Sequence, residues 1–328
     1  MGLPYAALGD SYSAGVGAGG GRGVCFRGPR GYPPLLAREL GLDLAYQACL
    51  GATVADLLRV QLEVLDADTE LVTLTVGGND AGFVDVIRAA ASPAWLADSG
   101  AALETANAVI RDVLPGRLRG AYAAVRSAAR DAEVVVATYP RLFGGTDCQL
   151  LTFFTEEELA ALNRTADELA EVIGAAAEDA GVGAVDVRDG FAGHGVCDPA
   201  PKVNGLVLPV WESFHPTADG HQEYAVEVAV ARPSRPATEA REPRVSYGRD
   251  TGASAARFWL PRLDSEQSLA AAGTAGHDRE QVRRLGLELR RWWSGGVDEA
   301  GVVLDEGDRS APTPSELAAA AELRDLGA

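Results

Sequence analysis

The chain contains a single lysine, Lys202, against 28 arginines, and only four histidines among 328 residues. Its 29 basic and 47 acidic residues leave a formal charge of −18. That balance offers no basic face to a phosphate backbone or an anionic lipid surface, so no nucleic acid partner is expected. Nor is there an uninterrupted apolar run of the length a membrane-spanning helix needs, and stable insertion into a bilayer is not expected. Metal-binding spacings of the C-x-x-C or H-x-x-x-H kind are missing too, so no metal and no cofactor is expected. Met1-Gly2-Leu3-Pro4 runs into a strand-like segment with no charged stretch before it. The chain as given reads as soluble and without a signal peptide.

What is present is a regular alternation. Short runs rich in β-branched and small apolar residues, at 5–8, 42–47, 71–76, 134–138 and 183–187, are separated by longer helical patterns at 33–40, 53–60, 102–131 and 155–180. This predicts an α/β fold around a parallel sheet of about five strands. Thr155 and Glu158 make a capping box for the 155–180 helix, and a last helix is predicted from Thr217 to near Arg232. Arg232-Pro233-Ser234-Arg235-Pro236 then marks a boundary. Two regions follow: a main domain over 1–231 and an extension over 232–328, the latter packed on the main domain or partly disordered. The extension carries 14 arginines and 16 acids, so the remaining −16 belongs to the main domain. Its one clear amphipathic helix starts at Asp278, places Val282, Leu285, Leu289 and Trp292 on one face, and stops at Gly295-Gly296. That helix is expected to dock on the protein itself rather than on lipid.

Four cysteines, Cys25, Cys49, Cys148 and Cys197, all lie near loops. Three pairings are possible, and proximity favours Cys25–Cys49 with Cys148–Cys197, each closing a loop worth roughly 3–4 kcal/mol in the chain-entropy model. The competing reading is four buried thiols in a cytosolic protein. Disulfides would imply an oxidising, extracellular setting, with a leader removed from this chain.

Four blocks carry chemistry. Gly9-Asp10-Ser11 follows the first strand and presents a hydroxyl at its carboxyl end, the edge where open α/β sheets bind ligands. Gly51, in Cys49-Leu50-Gly51-Ala52-Thr53, and Asn79, in Gly77-Gly78-Asn79-Asp80, follow the second and third strands. Each can donate an N–H to a developing oxyanion, from the main chain and from the side-chain amide respectively. Each block alone also suits an ordinary strand-to-helix turn. Acyl transfer further needs a base titrating near neutrality. His194 and His277 sit in loop-like contexts, and His221 reads as a surface or packing residue inside the last helix. His215, in Glu212-Ser213-Phe214-His215-Pro216, has a carboxylate three residues earlier that could orient its ring.

These blocks, in this order, resemble the SGNH (GDSL) hydrolase family, over about residues 4–231. The resemblance implies a three-layer α/β/α flavodoxin-like fold and a carboxylic ester hydrolase of the lipase or esterase type. It implies Ser11 as nucleophile, His215 as base, and an oxyanion hole made by Ser11 N–H, Gly51 N–H and the Asn79 side chain. The contexts of Cys25 and Cys49 further resemble secreted actinobacterial lipases and esterases of this family, which carry disulfides at such places. One departure is Glu212, where the family commonly has aspartate: either its longer carboxylate reaches the imidazole or its main-chain carbonyl orients the ring. The expected partner is a small-molecule or lipid acyl ester. An acyltransferase with a non-water acceptor, or a degenerate binding module on the same scaffold, are the rival functions.

Two weaker signals complete the reading. Gly15-Val16-Gly17-Ala18-Gly19-Gly20 fits a dinucleotide pattern only nominally, because a loop and not a helix follows, and it is read as a mobile loop at the mouth of the site. Leu151, Phe153 and Phe154 suit an acyl-binding rim, or equally the packing of the helix that follows them.

Overall fold

A computed structural model describes residues 3–149, 151–232, 240–249, 260–293 and 312–327. The strands are β1 Tyr5–Gly9, β2 Leu44–Tyr46, β3 Leu71–Thr75, β4 Glu133–Ala137, β5 Gly183–Val185 and β6 Val245–Tyr247. They form one sheet in the order β5-β4-β3-β1-β2-β6, and every neighbouring pair is parallel. All five residues of β1 and all five of β3 are buried, as strands covered by helices on both faces must be.

The helices are α1 Ser11–Ala14, α2 Tyr32–Leu40, α3 Val54–Val60, α4 Phe83–Ala90, α5 Ser99–Asp112, α6 Leu114–Ala128, α7 Glu156–Ala180, α8 Ala218–Val230, α9 Glu266–Thr274, α10 Arg279–Glu288, α11 Arg290–Trp293 and α12 Pro314–Gly327. The Thr155–Glu158 capping box is formed at the start of α7, and Thr53 with Asp56 makes another at α3. Each satisfies two main-chain donors that a helix start leaves open.

One expectation needs correction. The single helix over 102–131 is two helices, α5 and α6, because Pro115 sits in the first turn of α6 and has no N–H to continue the ladder of α5. The sheet has six strands, close to the about five that the apolar runs predict. The sixth, β6, lies beyond the proline-rich break and pairs Leu44–Val245 through Tyr46–Tyr247 on the β2 edge. Three residues with Tyr247 largely exposed carry too little hydrophobic pattern to be read as a strand. Its anchor is the buried Arg27, whose guanidinium donates to the carbonyls of Gln47, Ala48, Gly248 and Arg249.

Farther along the extension, Val282, Leu285, Leu289 and Trp292 are all buried. Gly295 and Gly296, expected to end their helix, lie outside the described residues. The guanidinium of Arg324 on α12 donates to the carbonyls of Gln149 and Thr152 on the main domain. Both favoured disulfides are present, Cys25–Cys49 and Cys148–Cys197. Among the described residues no helix is long and apolar enough to cross a membrane.

Candidate active site

β1 delivers the hydroxyl. Its last residue, Gly9, has φ +111°, and a Cβ there would sit 2.2 Å from the carbonyl oxygen of Thr75 on the adjoining strand. Only glycine lets the two strands close at this point. Gln61 grips Gly9 from the other side: its Nε2 donates to Gly9 O (2.9 Å) and its Oε1 accepts from Gly9 N–H (2.6 Å). Asp10 caps α1 by accepting from Tyr12 N–H at 3.0 Å. Ser11 then opens α1, with its Oγ 2.8 Å from Nε2 of His215.

His215 arrives from a tightly held loop. Phe214, just before it, has φ +60°, a left-handed backbone that costs a bulky residue free energy and persists only where neighbours over-determine it. Those neighbours are explicit: Phe214 N–H donates to Asn204 O (3.0 Å), Asn204 N–H donates to His215 O (2.9 Å), and Tyr12 O–H donates to Phe214 O (3.0 Å). Nδ1 of His215 lies 2.9 Å from the main-chain carbonyl of Ser213. The sequence pointed to Glu212 for this role, through its carboxylate or its carbonyl; the nearest orienting atom is the carbonyl one residue further on, and the Glu212 main chain contributes beside it. With a carbonyl on Nδ1, that nitrogen carries the proton and Nε2 faces Ser11 as an acceptor. Burial pushes the imidazole down to about 4, although the Ser213 carbonyl and, less, the Glu212 main chain oppose this and the nearby His221 adds to it.

The second and third blocks form the turns after β2 and β3; Asn79 lines the cavity beside Ser11, and Gly51 is not among its lining residues. Gly51 has φ +77° in a turn whose Cys49 N–H donates to Gly9 O at 3.0 Å. Nδ2 of Asn79 donates to Ala52 O at 3.0 Å. A primary amide has two N–H donors, so one more is available to a ligand. Asp80 ties the same turn to α3 by accepting from Val54 N–H at 2.8 Å. Ser11, Asn79 and His215 all line one cavity, together with Asp10 and Tyr139. Burial holds the Asp10 carboxyl up at about 7, against the pull of hydrogen bonds from Tyr139 and Tyr12.

The cavity wall is apolar and is built by Phe83, Val84 and Ile87 of α4, Ala166 and Leu169 of α7, and Leu142 and Phe214. Leu151, Phe153 and Phe154 are not part of it, which corrects the expected rim. Leu151 and Phe154 are buried, and the Phe154 ring packs behind the wall on Phe143 and Phe214 at centroid distances of 4.9 and 6.0 Å. Phe153 and Phe154 line a separate groove with Asp147 and Arg324. A cluster of apolar residues ahead of a helix serves core packing or a rim equally well; here the core took it.

The glycine-rich segment is a loop, and its middle packs on the histidine loop. A Cβ on Gly17 (φ +93°) would lie 2.5 Å from Pro216 O and 2.8 Å from His215 Cβ. Gly17 O accepts from Asn204 Nδ2 at 2.9 Å. Its absent side chain makes room for the histidine loop. His221 is fully buried, with Nε2 3.0 Å from Val16 O, so it packs rather than facing solvent. Sequence reasoning missed Gln61, Asn204, Tyr12 and Tyr139 as supports of the site. For Tyr139 a signal existed, since it follows the fourth strand at the same sheet edge as the other blocks; for Gln61 and Asn204 there was none.

An open parallel sheet with a hydroxyl, an amide and an imidazole gathered at its carboxyl edge is the architecture of an acyl hydrolase. A profile of the GDSL-like lipase/acylhydrolase family matches residues 7–223. The chain belongs to this family and is a carboxylic ester hydrolase. A lipase of Streptomyces rimosus is 40% identical over 227 residues, covering 67% of this chain and 82% of that protein. Lipase 1 of Streptomyces coelicolor is 38% identical over 222 residues, covering 66% and 81%. The crystal structure of the extracellular lipase from Streptomyces rimosus superposes with a TM-score of 0.65 and 39% identity, over 70% of this chain and 99% of that one. A phospholipase A1 from Streptomyces albidoflavus does so at 0.65 and 37%, over 71% and 100%.

Proposed function

We propose that the protein cleaves acyl esters through a covalent acyl-Ser11 intermediate, using a Ser11–His215 pair oriented by main chain. The observation that carries this reading is the 2.8 Å contact between Ser11 Oγ and His215 Nε2. His215 takes the serine proton as Oγ attacks the ester carbonyl, then returns it to the leaving alkoxide; water, activated by the same nitrogen, releases the acid. Ser11 N–H, Gly51 N–H and the Asn79 amide stabilise the oxyanion. The apolar wall suits a hydrocarbon acyl chain, and a lipid or other lipophilic ester is the proposed substrate class. Assay of acyl esters from two to sixteen carbons tests this. Equal rates along the series would reject the cavity as an acyl site, and product capture by added alcohols in place of water would mark an acyltransferase.

Catalysis is proposed to reside in residues 1–231, with 232–328 a supporting extension. Two disulfides, and the extracellular origin of the Streptomyces rimosus relative, support an extracellular setting.

With main-chain carbonyls on the imidazole, the Glu212 side chain is dispensable for the chemistry. Glu212→Ala is expected to keep kcat within about threefold of wild type, whereas loss of a catalytic carboxylate would lower it several-hundredfold or more. A fall of that larger size would restore the carboxylate triad.

The buried base also sets a pH dependence. An imidazole held down to about 4 is already neutral, and so basic, throughout the range in which an ordinary histidine protonates. In Asp10→Asn, where the carboxyl held at about 7 no longer titrates, the acid limb of kcat/KM should fall near pH 4, leaving most activity at pH 5.5, where a histidine of ordinary pKa near 6.5 would keep about a tenth. A limb near 6.5 in that variant rejects a desolvated base. Wild type should add a shallow step at about 7, no deeper than the loss in Asp10→Asn, as Asp10 protonates.

A further inference from the structure

We propose that Tyr139 is a positioning residue for the oxyanion hole, coupling the nucleophile turn to the Asn79 turn by joining the Asp10 carboxylate to the amide of Gly78. The inference rests on the oxyanion role proposed for Asn79.

Tyr139 stands just past the end of β4 and is buried. Its hydroxyl donates to Oδ2 of Asp10 and accepts from Gly78 N–H at 3.1 Å. The second oxygen of Asp10 accepts from Tyr12 N–H at 3.0 Å. One phenol therefore ties together the turns that follow three strands, β1, β3 and β4. A tyrosine hydroxyl has one proton to give and lone pairs to receive, so both contacts form at once. The two contacts together fix which way the hydroxyl points, and donation to Asp10 is the stronger of them once the carboxyl, held at about 7, has ionised. The ring itself is held edge-on to Tyr12, centroids 5.0 Å apart.

The need for such a tie lies in the sequence it holds. Gly77 and Gly78 immediately precede Asn79, and Gly77 adopts φ +125°. Two successive glycines have more backbone freedom than any other pair. The Asn79 amide must nonetheless point at a developing charge, where hydrogen-bond geometry decides the strength of stabilisation. Ala52 O restrains the side chain of Asn79, and Tyr139 restrains the peptide unit that leads into it. Without the phenol oxygen, Gly78 N–H loses its partner in a buried site and the peptide unit is free to rotate in search of another.

Tyr139→Phe removes that oxygen and keeps the ring. On a short-chain chromogenic ester it is expected to lower kcat about tenfold with KM within about twofold of wild type, because the oxyanion exists only along the reaction and not in bound substrate. The decisive comparison is with Asn79→Ala, itself expected to lower kcat about a hundredfold. In that background Tyr139→Phe should change the rate by less than about twofold, since its effect passes through Asn79. Asp10→Asn, which keeps an acceptor but removes the charge, should show a smaller loss in the wild type and again none in Asn79→Ala, and it serves should Tyr139→Phe not fold. Wild-type kcat in Tyr139→Phe overturns the inference, as does an equal loss in both backgrounds from whichever variant folds. Wild-type kcat in Asn79→Ala overturns the oxyanion role and this inference with it.

Discussion

Ser11→Ala is expected to lower kcat/KM on a short-chain chromogenic ester by about ten-thousand-fold, with thermal stability unchanged. Ser11 Oγ lies 2.8 Å from the imidazole, so its removal deletes the nucleophile and touches little of the surrounding packing. His215→Ala should lose a similar factor, because a serine hydroxyl near its ordinary pKa is a poor nucleophile without a base. The informative comparison is the double variant. Nucleophile and base act as one unit, so Ser11→Ala with His215→Ala should fall no further than either alone. A Ser11→Ala enzyme retaining a tenth of wild-type activity would reject the covalent route.

The second large effect comes from a residue with no side chain. Gly17→Ala is expected to reduce kcat/KM by about 10²–10³-fold, because a misplacement of about 1 Å at a reacting group costs about a hundredfold. The added methyl would lie 2.5 Å from Pro216 O, 2.8 Å from His215 Cβ and 2.9 Å from Asn204 Nδ2. Two of these three atoms belong to the loop that presents the base, and Asn204 fastens that loop through its own main chain. The φ of +93° adds strain of its own for alanine. Relief therefore moves either the glycine segment or His215, and the Ser11–His215 contact cannot survive a shift of the latter. The ester assay beside a melting curve separates the outcomes. Wild-type kcat/KM in a folded Gly17→Ala would mean that the glycine segment yields and the histidine loop does not.

The same residue shows where the sequence stops being informative. Gly15 to Gly20 could be a phosphate turn, a flexible mouth or a packing surface, since glycine spacing records only that side chains are absent. The atoms that need the space belong to residues about 200 positions away, and no local pattern reports them. Leu151, Phe153 and Phe154 failed for a related reason. Hydrophobicity says that a residue is buried against something, and whether that something is a ligand cavity or the back of Phe214 depends on the third dimension.

What the sequence determined by itself was the fold class, the positions of the first five strands, the two disulfide pairings that proximity favoured, and the four blocks Ser11, Gly51, Asn79 and His215 as candidates. These are local signals: short continuous apolar runs, strand-end turns, cysteines close along the chain, and a histidine count low enough that the alternatives could be weighed singly. The tertiary structure decided the rest. It brought Ser11, Asn79 and His215 to one cavity, put the Ser213 carbonyl on Nδ1, added β6 from beyond the proline break, and set Tyr139 between Asp10 and Gly78. Each of these is a contact between residues distant in sequence, or a choice between neighbouring carbonyls made by backbone conformation. A positive φ at Phe214 turns Ser213 O toward the ring, and that angle follows from hydrogen bonds to Asn204 and Tyr12 that exist only once the sheet has assembled.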